Sequence, residues 1–224
     1  MRNEEERQTF IRAQTRLEPV PLVPEISIYA ASLVTPLWTA TQQTLDLHDL
    51  EPPFWAFAWA GGQALARFVL DNPENVRGRA VFDFASGSGM VGIAAKLAGA
   101  SRVLCSDVDT VACTATRLNA GAADLSLEAS DADRVGELLD GFDVVLAGDV
   151  FYDRSAAERF GPWFEALAKH GHLVLVGDPG RAYFPGGLEA LATYDVPVPF
   201  DLESTTTKPA TVYRYPARAV PSSG

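Results

Sequence analysis

From residue 80 onward, short apolar runs alternate with amphipathic stretches. "AVFDF" (80–84), "RVLCS" (102–106), "LSLEA" (125–129), "FDVVLAG" (142–148) and "HLVLVGD" (172–178) read as strands. Between them, 91–100 and 110–122 predict helices, 134–139 a small helix, and 154–170 a helix that Gly161 and Pro162 should break. Apolar strands alternating with helices imply a parallel sheet covered on both faces. After "PGG" the pattern predicts a short helix, then two strands, "TYDVPVPF" (193–200) and "ATVYRYP" (210–216), placed to pair antiparallel at one edge. The terminal "PSSG" reads as a loose tail.

The first part of the chain is less regular. Residues 3–17 predict a charged helix, with Glu4, Glu5 and Glu6 early and Arg12 and Arg16 late, as the helix dipole favours. Three prolines in six positions (Pro19, Pro21, Pro24) exclude a helix there. A strand at 26–29 and a helix around 38–45 follow. "LEPPFWAFAWAGG" carries two prolines, four aromatics and a glycine pair ahead of a helix at 63–70. This divides the chain into an N-terminal extension (1–50), one α/β domain (51–218) and a flexible tail (219–224).

Composition narrows the function. With 224 residues and 47% hydrophobic content the chain can bury a sizeable core, and it has no apolar run long enough to span a membrane. The N-terminus lacks the apolar stretch of a secretory signal, and two cysteines (Cys105, Cys113) suit reduced thiols in a cytoplasmic protein. A net charge of −11 with only three lysines (Lys96, Lys169, Lys208) argues against a nucleic-acid substrate and favours a small molecule or a basic site on another protein. His48, His170 and His172 do not cluster, so no metal is expected.

The candidate chemistry begins at "VFDFASGSGMVG". Gly87, Gly89 and Gly92 form G-x-G-x-x-G between a strand and a helix, and Asp107 follows Gly87 by twenty residues at the end of the next strand, where a ribose hydroxyl would meet a carboxylate. Asp83, four residues before Gly87, suits a cationic ligand better than a pyrophosphate; a buried acid bonded to backbone amides is the alternative. Asp109 reads as a helix cap. A nicotinamide-dependent oxidoreductase and a non-catalytic cofactor-binding module are the competing readings of this motif.

"VFDFASGSG", with "D-x-D…A…N" at Asp107, Asp109, Ala112 and Asn119, resembles the seven-stranded S-adenosylmethionine-dependent methyltransferases, with Ala85 where many members have glycine. The resemblance implies a Rossmann-like seven-stranded sheet, mostly parallel with an antiparallel C-terminal strand pair, helices on both faces and, here, an N-terminal helical extension. It implies S-adenosylmethionine as cofactor, held by Trp59, Asp83, Gly87, Gly89, Asp107, Asp131 (near the adenine) and Gly148 (admitting the cofactor). "PPFWAFAWAGGQALARFVLDNP", "GDVFYD" (148–153) and "GDPGRAYF" are more specifically similar to the electron-transfer-flavoprotein β-subunit lysine methyltransferases, over residues 35–184. That implies methylation of lysine on the flavoprotein β subunit, with the ribosomal stalk protein as a further target, and Asp149 and Tyr152 as catalytic residues facing the amine. A small-amine methyltransferase is the alternative on the same fold.

The chemistry sets a requirement of its own. A lysine of pKa about 10.4 is neutral in roughly one molecule in a few thousand at pH 7, a cost of about 4–5 kcal/mol that a desolvated aromatic pocket can lower. A carboxylate cannot lower it, so Asp149 and Tyr152 are expected to orient the amine while solvent takes the proton. Trp55, Phe57 and Trp59 are candidate walls of that pocket, with core packing the competing role for Phe54 and Phe57. Asp149→Ala should abolish activity with the fold intact. Asp153 should cap the next helix.

Overall fold

The computed structural model describes residues 3–31, 53–198 and 205–217. The expected helix around 38–45, His48 and the tail at 219–224 lie outside the described residues. Helix α1 (Glu4–Gln14) starts at Asn3, whose side chain accepts the Glu6 amide at 2.8 Å. It ends three residues short of the expected boundary because β1 (Arg16–Val20) begins there and pairs antiparallel with β2 (Val23–Ala30). The prolines do exclude a helix, but they sit in a two-stranded ribbon, whose open edges tolerate them.

Helix α2 (Ala60–Asp71) leads through a short 3-10 turn at Pro73–Asn75 into β3 (Ala80–Phe84). There follow α3 (Met90–Leu97), β4 (Arg102–Ser106), α4 (Thr110–Ala122), β5 (Glu128–Ser130), β6 (Val144–Gly148), α5 (Arg154–His170), β7 (Leu173–Asp178), β8 (Glu189–Pro197) and β9 (Thr207–Arg214). Seven strands form one sheet in the order β5-β4-β3-β6-β7-β9-β8. The pairs among β5, β4, β3, β6 and β7 are parallel, and β9 runs antiparallel to both β7 and β8. The expected sheet is therefore present, including its antiparallel C-terminal pair. One face buries Leu65, Ile93, Val103, Leu146 and Leu175; the other buries Phe82, Phe151, Phe164 and Leu167.

Three local expectations fail, each because packing overrides propensity. Residues 134–139 form no helix, since Gly136 (φ 96°) and Leu139 (φ 55°) take left-handed backbone, and Leu139 is buried. Helix α5 is continuous through Pro162, which is exposed, so the carbonyl its ring deprives of a donor can turn to water. Trp163, Phe164 and Leu167 on the opposite side are buried against the sheet. No helix precedes β8, because Glu189 and Ala190 already pair with Arg214 and Tyr213 of β9.

Asp153 caps α5 as expected, accepting the Ala156 amide at 2.9 Å. Asp153→Ala should therefore cost about 0.5–2 kcal/mol, read as a lower midpoint of denaturation at unchanged slope.

Candidate active site

The sheet reverses direction of growth between β3 and β6: from β3 the chain builds outward through β4 to β5, then returns to add β6 and β7 on the other side. The crevice beyond the carboxyl ends of these two strands is where open α/β sheets bind ligands. Phe84 of β3 pairs with Ala147 of β6, so the glycine-rich turn and "GDVFYD" leave the sheet side by side.

The turn is built for close approach. Ala85 has φ 49°, a left-handed conformation that costs an alanine about 1–2 kcal/mol and a glycine almost nothing. Gly87 (φ 52°) donates its amide to Asp107 Oδ2 at 2.8 Å, and the other oxygen of Asp107 takes the Asp109 amide at 3.0 Å. Gly89 (φ 75°) opens α3, and a Cβ there would fall 2.7 Å from Thr116. Asp109 caps α4 through the Val111 amide at 2.7 Å. Asp107 thus stands at the rim with its carboxylate aimed back at the turn, and Asp131 is exposed beyond β5.

Asp83 lies beneath the turn rather than in the crevice. It is 1% exposed; Oδ2 accepts the Gly92 amide at 2.8 Å and faces the Cys105 sulfur at 3.7 Å, while Oδ1 has no hydrogen-bond partner among the described residues. Burial pushes its carboxyl up to about 7 and that of Asp107 up to about 6. Each raised value disfavours the ionised folded state, so the stability these groups contribute below about pH 4 is lost as pH rises to about 6 and 7. Asp83→Asn should remove Asp83's share. Relative to wild type, the variant should gain stability between about pH 4 and 7.5, by up to about 4 kcal/mol. Melting curves that stay parallel across this range would show that Asp83 is not protonated in the fold.

At the end of β6, the space that the missing side chain of Gly148 leaves is taken up by α2: a Cβ on it would lie 2.7 Å from Gly62 Cα. Gly61 and Gly177 meet in the same crossing, where a Cβ on Gly177 would fall 2.0 Å from the Gly61 carbonyl oxygen. Asp149 (φ 57°, 8% exposed) follows Gly148. Its Oδ2 accepts the Gly62 amide at 2.9 Å, where the partial positive charge of α2's N-terminus favours an anion. Its Oδ1 accepts from Arg181 Nη2 at 2.8 Å. Burial raises the Asp149 carboxyl, opposed by Arg181 and by the amides of Gly62 and Gly61.

The aromatic residues divide differently from expectation. Trp55 and Phe57 are buried with Ile11, Val111, Ala115 and Leu118, so Trp55 supports the glycine-rich turn from behind instead of walling an amine pocket. Phe54 is 49% exposed and not core; its ring lies 5.8 Å from that of Tyr152, itself 55% exposed. Trp59, the N-cap residue of α2, donates its indole N–H to the Phe54 carbonyl at 2.8 Å and carries the Arg181 guanidinium 5.7 Å above its ring. Phe54, Trp59, Tyr152, Asp149 and Arg181 therefore form one wall. Gly61 and Gly62 were not among the expected site residues, and Arg181 was read as stabilising a loop or contacting substrate. The glycine pair and the "GDPGR" run were visible in sequence, but their partners lie about 87 and 32 positions away.

A glycine-rich turn with an acid at the next strand end and an acid–aromatic wall beside it defines a nucleotide-cofactor enzyme on a class I methyltransferase sheet. Solved structures share that fold: Thermoplasma acidophilum 1320 matches over 70% of this chain and 91% of its own, with a TM-score of 0.52 and 18% identity. The family model for ribosomal protein L11 methyltransferase (PrmA) matches residues 63–148. The Danio rerio electron transfer flavoprotein beta subunit lysine methyltransferase is 36% identical over 221 residues, covering 95% of this chain and 84% of its own. Its Xenopus laevis counterpart is 38% identical over 84% of this chain and 78% of its own. The chain belongs to the electron transfer flavoprotein beta subunit lysine methyltransferase family. It is a protein-lysine methyltransferase whose cofactor is S-adenosylmethionine.

Proposed function

We propose that this enzyme methylates lysine on the β subunit of the electron transfer flavoprotein, in the cytoplasm, with the wall at the end of β6 receiving the amine. The observation that carries the substrate reading is the reach of the similarity. It spans 95% of the chain, well past the cofactor half to which the L11 methyltransferase model is confined. The ribosomal stalk protein is the second target to assay. An acidic chain of net charge −11 favours a basic protein segment over a nucleic acid. Among the described residues no helix is long and apolar enough to cross a membrane.

The residues present fit the cofactor. Gly87 and Gly89 leave the turn without side chains; Asp107 at the rim, its oxygens accepting the Gly87 and Asp109 amides, would meet the ribose, Asp131, exposed beyond β5, the adenine, and Trp59 belongs to the wall beside them. Beneath the turn, Oδ1 of Asp83 is a buried acceptor with no hydrogen-bond partner among the described residues. When bound, S-adenosylmethionine would supply a methyl group carried on a sulfonium whose sulfur keeps the S–C bonding pair; the amine, attacking through its lone pair, would become a methylated ammonium and lose a proton to solvent. The chain's own part is to bring in a neutral amine and align it. The neighbouring rings of Phe54 and Tyr152 offer an apolar surface for the lysine's methylene stem, and Asp149, fixed by Gly62 and Arg181, sets the direction of approach.

Methyl labelling of a host-cell lysate, followed by mass spectrometry, tests this. Label on a lysine of the flavoprotein β subunit is expected. Label confined to the ribosomal stalk protein, or to small amines, would sink the assignment.

A further inference from the structure

Two acids close adjacent strands. Gly148 of β6 pairs in register with Gly177 of β7, so Asp149 and Asp178 follow side by side. They are used differently. Asp178 is 1% exposed, and its Oδ1 accepts the amides of Gly180 and Arg181, each at 2.7 Å. That turn sends the Arg181 side chain back across the site, where its guanidinium meets Asp149 Oδ1 at 2.8 Å and lies over the Trp59 ring. The side chains of Arg181 and Asp149 are 22% and 7% exposed, so the pair is largely withdrawn from water.

A carboxylate edge beside a tryptophan face is a site that binds an alkylammonium. Here the chain's own arginine occupies it. This matters for a reaction that needs a neutral amine: a carboxylate open to the substrate would pair with the ammonium, raise its pKa and hold it in the unreactive form. A guanidinium beside that carboxylate cancels the attraction, and it does not give up its own proton in the working pH range.

We propose that Arg181 is a positioning residue that withholds Asp149 from the substrate ammonium, so that lysine reaches the methyl-transfer site as the uncharged amine. The role rests on the end of β6 being the reaction wall. Among the described residues, the charged groups bearing on Asp149 are Arg181, from the segment after β7, and Asp178, which senses both; the amides of Gly61 and Gly62 face it from α2. Phe54, Trp59 and Tyr152 add aromatic surface.

The test compares wild type with Arg181→Gln, Arg181→Met (which keeps an apolar stem over Trp59) and Arg181→Lys. For each, kcat and KM for the protein substrate are measured from about pH 6.5 to 10. S-adenosylmethionine affinity by calorimetry confirms an intact cofactor site. Near pH 7.5 the two neutral variants should lose about ten-fold or more in kcat with no rise in KM. The loss should shrink toward pH 10, as the alkaline pKa of kcat moves up by about one unit. Arg181→Lys restores a cation and should return the wild-type profile. A loss that is equal at every pH overturns the proposal, as does a rise in KM at unchanged kcat, which would make Arg181 a substrate contact. Wild-type turnover is measured first on the flavoprotein β subunit and, if that is not modified, on whichever lysine protein the lysate labels. A wrong substrate then shows in the wild type, and a wrong role for Arg181 only in the difference between variants and wild type.

Discussion

Gly177→Ala should destabilise the protein by about 3 kcal/mol or more, at the upper end of what overpacking costs, and lower its melting temperature by roughly 6–12 °C. The added methyl would sit 2.0 Å from the Gly61 carbonyl oxygen and 2.9 Å from both Gly61 C and Leu65 Cβ. Two of those three neighbours are backbone, so no rotamer change relieves the clash and α2 must move off the sheet. That displacement also draws the Gly62 amide away from Asp149, so residual activity should fall further than residual stability explains. Gly161→Ala is the matched control. It sits within α5 with nothing inside 4 Å of the new methyl, and should stabilise by about 0.5–1 kcal/mol through helix propensity alone. Equal melting temperatures for the two variants would show that the close crossing of α2 over β6 and β7 is absent in solution.

The second large effect is at Asp149. Its carboxylate holds the N-terminus of α2 and the Arg181 guanidinium together, so Asp149→Ala removes both at once. Breaking one side of a buried pair costs about 3–5 kcal/mol; with Arg181 22% exposed, the lower end applies. Activity should fall by about 10²-fold or more, because misplacing a reacting group by even 1 Å costs that much. The structure therefore revises the expectation that this substitution spares the fold. Asp149→Asn separates the two effects. It keeps an oxygen for the Gly62 amide and should retain most of the stability, yet lose the charge that directs Arg181 and, with it, most of the turnover. An asparagine variant with wild-type kcat would remove Asp149 from the mechanism.

The sheet was legible in the chain because its strands are contiguous, apolar and separated by capped helices. "AVFDF" and "RVLCS" lie at their expected limits, and Asp109 and Asp153 start helices where short-range cap chemistry requires. The failures share one cause. Residues 134–139, Pro162 and the start of β8 have local preferences that distant partners override. Site legibility follows the same rule. Gly87, Gly89 and Asp107 carry a spacing signal, and the fold brings the Gly87 amide onto the Asp107 carboxylate. Asp83 was placed in sequence but not in depth, since nothing local tells whether a strand acid faces a crevice or lies beneath it. Gly148 was read as admitting the cofactor, and the space its missing side chain leaves is filled by Gly62 of α2. Arg181 had a distinctive context but no readable partner until the fold brought β6 and β7 together.

Asn119 offers a last consequence. Its side chain accepts the amide of Tyr29 at 2.7 Å and donates to the carbonyl of Ser88 at 2.8 Å, so one buried amide group links the N-terminal ribbon directly to the glycine-rich turn. The Tyr29 proton is thereby a natural isotopic clock for the cofactor crevice. Its exchange with deuterated solvent should slow when S-adenosylmethionine binds at the turn.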